Sequence, residues 1–362
     1  MINYNKLAYQ LKRKIKVFSD KISKGLTKPK TKLVFHMLYG LLEAQSVHLS
    51  NISRALKEDI TLKKTIERLS RNLNCFTENE TVFNNYINEV SKHFKEKPIL
   101  IVDHSDISKP KSEMLECLGR VRDGSTGKYT NGYHLLEIAA LTEKHKMPTP
   151  VYSRIYSSRE VDFISEDEEV LNGLKFLSRQ FGKAGIRTLD RGYDTNVYYD
   201  YFIRSKENFI VRAKSNRNVI YKNKVINILD LAHKFKGKYA MVFNGKKGEK
   251  INCKMSSIPI KLPLASNKEL NLVVIYGFGK KPMMLITNMT ANNACLPKVI
   301  TKVYLMRWRI EEYYKFKKQQ FGFEDFRVQS LNSIRALNLI LTVLIGLLSI
   351  FSEKQNESLL IY

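Results

Sequence analysis

Two aspartates in this sequence, Asp103 and Asp190, each follow a short apolar run, residues 99–102 and 186–189, that reads as a buried strand. Carboxylates at the carboxyl ends of strands are aimed by a fixed backbone into the crevice where α/β folds place their chemistry. Taken singly, each is the residue type that makes a turn or caps a helix. As a pair they are hard oxygen donors suited to Mg²⁺ or Mn²⁺.

A third carboxylate, Glu311, belongs to a predicted long helix from Pro297 to about Gln320, with Gly322 just past its end. Tyr304, Arg307, Glu311 and Lys318 stand at offsets 0, 3, 7 and 14. In an α-helix those positions share an arc of about 60° along about 21 Å. Lys315 joins the stripe and Trp308 lies beside it. The same spacing describes a solvated ion-pair ladder, Arg307 to Glu311 and Glu311 to Lys315, worth about 0.2–0.5 kcal/mol per pair. Joined to the two aspartates, it points to phosphodiester cleavage. Two metal ions roughly 3.5–4 Å apart would activate the attacking oxygen and stabilise the leaving one. Arg would grip phosphates through bidentate contacts and Lys as a point charge.

The string YLMRWRIEEYYKFKK matches Y-x2-R-x3-E-x6-K at all four positions and so resembles the YREK group of bacterial insertion-sequence DDE transposases, the insertion-sequence family four type. The resemblance extends to VDHSDISKP, with Asp103 in the first acidic position, to LDRGYD, with Asp190 in the second, and to FIVRAK, which carries Arg212 and Lys214. It implies Asp103, Asp190 and Glu311 as the catalytic, metal-binding carboxylates of a ribonuclease-H-like core. It further implies that Tyr304, Arg307 and Lys318 grip transposon-end DNA, together with Arg212 and Lys214, and that the enzyme works as a homodimer on synapsed ends, by way of a hairpin intermediate. Trp308 either stacks beside the DNA or packs in the core. Asp106 and Asp194 are alternatives to the assigned aspartates. Only Asp103 and Asp190 directly end predicted strands, which leaves Asp106 as a hydrogen-bonding neighbour of the ligands. Asp123 reads as a turn residue and His104 as a hydrogen-bonded neighbour.

The elements that must position these residues divide the chain into five segments. Residues 1–95 are an N-terminal helical DNA-binding domain in which apolar positions between residues 50 and 73 keep helical spacing except near 59–61, as in a helix-turn-helix. Residues 96–215 begin the core, with strands near 99–102, 133–141, 150–156, 185–189 and 208–213 and helices near 166–181 and 197–204. Residues 216–281 are a β-rich insertion, residues 282–330 complete the core with the YREK helix, and residues 331–362 form a C-terminal helical tail. The expected fold class is α/β, a mixed sheet with flanking helices.

Composition bounds the partners. Sixty-one Lys and Arg against 35 Asp and Glu give a net charge of +26, the footprint of a polyanion-binding protein. The apolar run at 337–351 is too short to span a bilayer and contains Asn338 and Thr342, so a buried helix is expected and no membrane. Few residues follow it, which leaves little room for a separate dimerisation domain. The four cysteines form no CxxC pair, consistent with a reduced, cytoplasmic protein without structural zinc. The DGSTGK string lacks P-loop spacing, so no nucleotide cofactor is expected. The reading is a DNA transposase that binds terminal inverted repeats, cleaves by two-metal hydrolysis and joins 3′ ends to target DNA. The alternatives are a transposase-derived DNA-binding regulator and a ribonuclease-H-like nuclease without strand transfer.

Overall fold

The computed structural model describes residues 4–94, 97–124, 126–142, 147–245, 248–290 and 295–359; the expected boundary between residues 95 and 96 lies outside them. Five helices come first: α1 (Tyr4–Ile22), α2 (Lys28–Ala44), α3 (Leu49–Leu56), α4 (Leu62–Asn74) and α5 (Asn79–Val90). Then follow β1 (Ile99–Ser108), β2 (Gly119–Arg122), β3 (Tyr129–Leu141), β4 (Thr149–Tyr156), α6 (Glu166–Phe181), β5 (Ile186–Leu189), α7 (Asn196–Ser205) and β6 (Asn208–Arg212). Next come β7 (Asn218–Tyr221), β8 (Lys224–Asn227), α8 (Ile228–Lys234), β9 (Tyr239–Asn244), β10 (Lys250–Leu262), β11 (Ala265–Tyr276) and β12 (Met283–Thr287). Helices α9 (Leu296–Leu305), α10 (Arg309–Lys315) and α11 (Leu331–Leu359) close the order. The protein is a mixed α/β fold with a helical N-terminal region.

One compact unit comprises Lys97–Asp103 and Val170–Arg309. Its sheet starts with three parallel strands, β1 beside β5 beside β6, and β5–α7–β6 is a parallel crossover. Beyond β6 the neighbours are antiparallel: β12, β11, then β10, which carries both β9 and β7, with β8 on β7. The β1 run Leu100, Ile101, Val102 is fully buried, as are Phe209, Ile210 and Val211 of β6. Continuous apolar runs of this kind suit central strands covered on both faces. Burying such runs, at about 25 cal/mol per Å² of apolar surface, helps hold the parallel strands in place.

The other unit comprises Met1–Glu96, His104–Glu169 and Ile310–Tyr362. Its α3 and α4 are separated by a five-residue turn in which Lys57 takes a left-handed conformation (φ 50°) and Thr61 caps α4 by accepting the Lys64 N–H at 3.5 Å. That turn covers the lapse in periodicity seen near 59–61. In the same unit β3 pairs with β2 through its first residues and with β4 through the rest. The stretch Leu331–Ser352 of α11 is by length and composition able to cross a membrane, yet it is mostly buried, packed on β4, α2, α4 and α5. Its apolarity is that of a core helix.

Three elements differ from expectation. Strand β1 does not stop at Val102 but runs to Ser108; the polar string HSDIS concealed this. The stretch 297–320 is not one α-helix. After α9, Met306–Trp308 is a 3₁₀ turn, α10 follows, and Phe316–Gln320 is a π turn. Each tightening or loosening rotates the side chains that follow, and the residues concerned, Arg307 and Lys317, are both buried. Finally, the β-rich stretch 216–281 holds one helix, α8.

Candidate active site

Strand register builds the first part of the site. Val102 pairs with Leu189, and Leu189 pairs with Val211. The next residue on each strand is therefore Asp103, Asp190 and Arg212, on three adjacent parallel strands spaced about 4.8 Å apart. Asp103 is thus interior to β1 rather than at its end, but it is the first residue past the parallel pairing, which gives it the same outlook as Asp190. The Asp103 and Asp190 side chains are 22% and 37% exposed.

Helix α9 and the 3₁₀ turn after it bring two more groups to these carboxylates. The Tyr304 hydroxyl donates to Asp190 Oδ1 at 3.0 Å. Arg307 Nη1 lies 3.6 Å from Asp103 Oδ2 and Nη2 lies 4.0 Å from Asp190 Oδ2, while Arg212 Nη1 is 3.9 Å from Asp190 Oδ1. Burial acts to raise the Asp190 pKa, but the Arg307 guanidinium, the Arg191 N–H, the Tyr304 hydroxyl and Arg212 outweigh it and hold the carboxyl below the usual range. Burial likewise opposes the charge of Arg307, and Tyr304, Asp190 and Asp103 more than restore it. Burial, followed by Asp190, keeps the Tyr304 phenol protonated, its pKa pushed well up. Arg307 Nε is buried with no hydrogen-bond partner among the described residues, a donor still open to an acceptor.

Two adjacent carboxylates bridged by a guanidinium are a set of hard oxygens already gathered around a cation, and their chemistry fits a divalent ion. Among the described residues no three His, Cys, Asp or Glu side chains are grouped to hold a metal. Asp194 has a different role. Its Oδ1 accepts from Tyr199 at 2.8 Å and from Arg217 Nε at 2.5 Å, and its Oδ2 accepts the Lys214 N–H at 2.7 Å. At 1% side-chain exposure it is a buried strut. Lys214 lies just past β6, anchored by that bond. Trp308 is half-buried and meets Phe278 edge-on, ring centres 6.2 Å apart.

Glu311, Lys315 and Lys318 belong to the other unit. Glu311 and Lys315 are exposed on α10. Lys318, in the π turn, donates to the Asp106 carbonyl at 2.6 Å and pairs with Glu324 at 2.9 Å. Asp106 Oδ1 accepts the Gly124 N–H at 3.2 Å, and the turn residue Asp123 accepts from Ser108 and from the Thr126 N–H, both at 3.2 Å. His104 Nε2 meets the Tyr156 hydroxyl at 2.9 Å, and burial pushes its pKa down to about 4. The imidazole is neutral near pH 7.

A cluster that the spacing argument passed over anchors the π turn. Lys317 and Glu137, both fully buried, form an ion pair at 2.5 Å. The Lys317 ammonium also donates to Thr342 at 2.9 Å, and Glu137 accepts from Tyr313 at 3.0 Å and Ser153 at 2.9 Å. The one hint in the sequence is Glu137 itself, a carboxylate inside the apolar string LLEIAAL that demands a buried donor.

A family model described as the transposase DDE domain matches residues 94–347. Among curated protein sequences none matches this chain. Among solved structures the chain is similar to the piggyBac transposase synaptic complex with hairpin DNA, at 12% identity and a TM-score of 0.48 over 93% of this chain and 72% of that one.

Proposed function

The chain belongs to the transposase DDE domain family, whose membership implies divalent-metal use in DNA cleavage, and from that premise we propose that it is a DNA transposase of the YREK insertion-sequence group. In this reading residues 1–95 bind terminal inverted repeats through α3 and α4, residues 96–215 and 282–330 form the catalytic core, interrupted by the β-rich insertion 216–281, and the helical tail 331–362 follows in sequence. Asp103, Asp190 and Glu311 would hold two Mg²⁺ or Mn²⁺ ions. The enzyme acts as a homodimer in the cytoplasm.

The observation that carries the proposal is the register that sets Asp103, Asp190 and Arg212 on one level, with Arg307 bridging the two carboxylates. Bound metal supplies Lewis-acid stabilisation and a deprotonated attacking oxygen. The protein's own groups do the rest. Tyr304 fixes Asp190 by its hydroxyl, so the carboxylate is oriented before substrate arrives. Arg307 and Arg212 present guanidinium donors beside the two carboxylates to a scissile phosphate and its neighbours. Lys214, Trp308, Lys315 and Lys318 hold the flanking strand. Cleavage and joining are both in-line displacements at phosphorus, so one site serves both steps.

Incubation of the full chain with Mg²⁺ and DNA carrying its element's ends tests this. Wild type yields nicked ends and joined products, and Asp103→Asn, Asp190→Asn and Glu311→Gln each lower the cleavage rate at least about a thousandfold. The assignment fails if Glu311→Gln cleaves as wild type does, or if wild type binds ends without cutting them. Cleavage without joined products would leave a nuclease.

A further inference from the structure

Outside the carboxylate site, the hairpin formed by β2 and β3 presents cations in an ordered array. Along β2 burial alternates strictly: Gly119 and Val121 face inward while Arg120 and Arg122 are exposed. On that outer face Arg120 stands opposite Asn131 and Arg122 opposite Tyr129. Tyr129 is 69% exposed, and Lys128 beside it at the tip is exposed as well. The guanidinium groups are two residues apart on one strand, about 7 Å. Among the described residues Arg120, Arg122 and Lys128 enter no ion pair; Arg122 donates only to the Gly127 carbonyl, at 3.4 Å. The sole carboxylate between residues 119 and 131, Asp123, is turned inward onto Ser108 and Thr126.

The array is also tied in place among the described residues. Gly127 at φ 71° makes the tip turn, closed by Gly127 N–H to Asp123 carbonyl at 2.7 Å and Asp123 N–H to Lys128 carbonyl at 2.9 Å. Gly124 N–H ties the tip to the Asp106 carboxylate at 3.2 Å. At Gly132 a Cβ would come within 2.2 Å of the Ile107 carbonyl, so β3 lies hard against β1. The hairpin is thereby fastened to the last residues of β1, Asp106 and Ile107. A solvated charge on a mobile loop would have none of these ties.

We infer that the outer face of the β2–β3 hairpin is a binding surface for the phosphate backbone of duplex DNA, read without sequence preference. A two-stranded ribbon fits beside or within the wide groove of B-DNA. Arg120, Arg122 and Lys128 contact phosphates, and Tyr129 lies flat against the sugars between them. Phosphate contacts position DNA but carry no base information. The surface serves to hold any duplex, target as well as transposon end, by its backbone. The inference rests on the reading of the chain as a DNA-acting enzyme.

The test is equilibrium binding of the full chain to a labelled random-sequence duplex in EDTA, across a salt series. The variant R120Q/R122Q/K128Q is compared with K222Q/K224Q/K268Q, which removes the same charge from exposed positions in the β-rich stretch. Loss of three phosphate contacts lowers affinity about tenfold or more at 0.1 M salt and reduces the slope of log K against log salt by about 2–3. Both variants must unfold at the wild-type denaturant midpoint. Equal weakening by the two variants, or an unchanged slope in the hairpin variant, overturns the inference. Because the assay contains no metal, its outcome is independent of whether the carboxylates cut DNA; absence of metal-dependent cleavage in wild type is the separate result that would remove the transposase reading.

Discussion

At the residue scale, Asp190 is ionised because its neighbours defeat its burial. Removing Arg307 deletes the strongest of those neighbours, so in Arg307→Gln the Asp190 carboxyl moves upward, toward its unfolded value. The sign follows: a depressed carboxyl contributes stability that is present above the unfolded pKa and lost as pH falls through the folded one. Carboxyl-carbon NMR titration reads the shift directly, and no movement of Asp190 in the variant would contradict the electrostatic account. Asp194 separates from Asp190 by a different measurement. Asp194→Asn leaves Arg217 and the buried Tyr199 hydroxyl without their charged acceptor and costs about 3 kcal/mol in denaturant unfolding. Asp190→Asn, at a side chain 37% exposed, costs less in unfolding than Asp194→Asn, and on the proposed function it lowers cleavage. Both aspartates sit in the same short string, LDRGYD. Its position after a predicted strand favoured Asp190 of the two, but the strut role of Asp194 was not legible, since it depends on Lys214 and Arg217, 20 and 23 residues away in the chain.

At the element scale, the helix read from Tyr304 to Lys318 is broken twice, and each break serves a buried cation. Lys317→Met strands Glu137 in an apolar interior and destabilises the protein by about 3–5 kcal/mol. The double variant Lys317→Met/Glu137→Leu recovers most of that loss, measured as the unfolding midpoint in urea. Equal midpoints for the single and double variants would show that the pair is uncoupled. Among the N-terminal helices, His36 on α2 faces Glu58 at 3.6 Å and Arg68 at 3.4 Å. Burial lowers its pKa and Arg68 adds to that, while Glu58 opposes it. Its folded form therefore binds fewer protons than the unfolded chain below about pH 6.5. Stability falls as pH drops from 6.5 toward the folded value, and His36→Asn flattens that part of the urea-midpoint profile. The two helices α3 and α4 were legible from periodicity, because each presents an apolar stripe and Thr61 is a strong cap. Strands β2 and β8 were not: each is only four residues long and is defined by its pairing partner rather than by a pattern of its own.

At the scale of the whole molecule, the net charge of +26 makes DNA affinity a matter of counterion release. For six to ten phosphate contacts, binding to any duplex weakens about 10³–10⁵-fold between 50 and 200 mM salt; a salt-independent affinity in that range would remove phosphate contact as its main source. The sequence by itself determined that charge, the α/β class, the buried apolar runs that precede Asp103 and Asp190, and the strings that mark a DDE transposase domain. These are local or additive properties: composition sums over residues, and a motif is a spacing along one chain. Tertiary structure alone decided that Asp103, Asp190 and Arg212 share a level, because register is set by pairing between strands far apart in the chain. It also decided that Arg307 bridges the carboxylates from a 3₁₀ turn, that Lys317 is buried against Glu137, and that the apolar stretch Leu331–Ser352 is a core helix. Burial and ion pairing belong to the surroundings of a side chain, and those surroundings exist only once distant segments have packed.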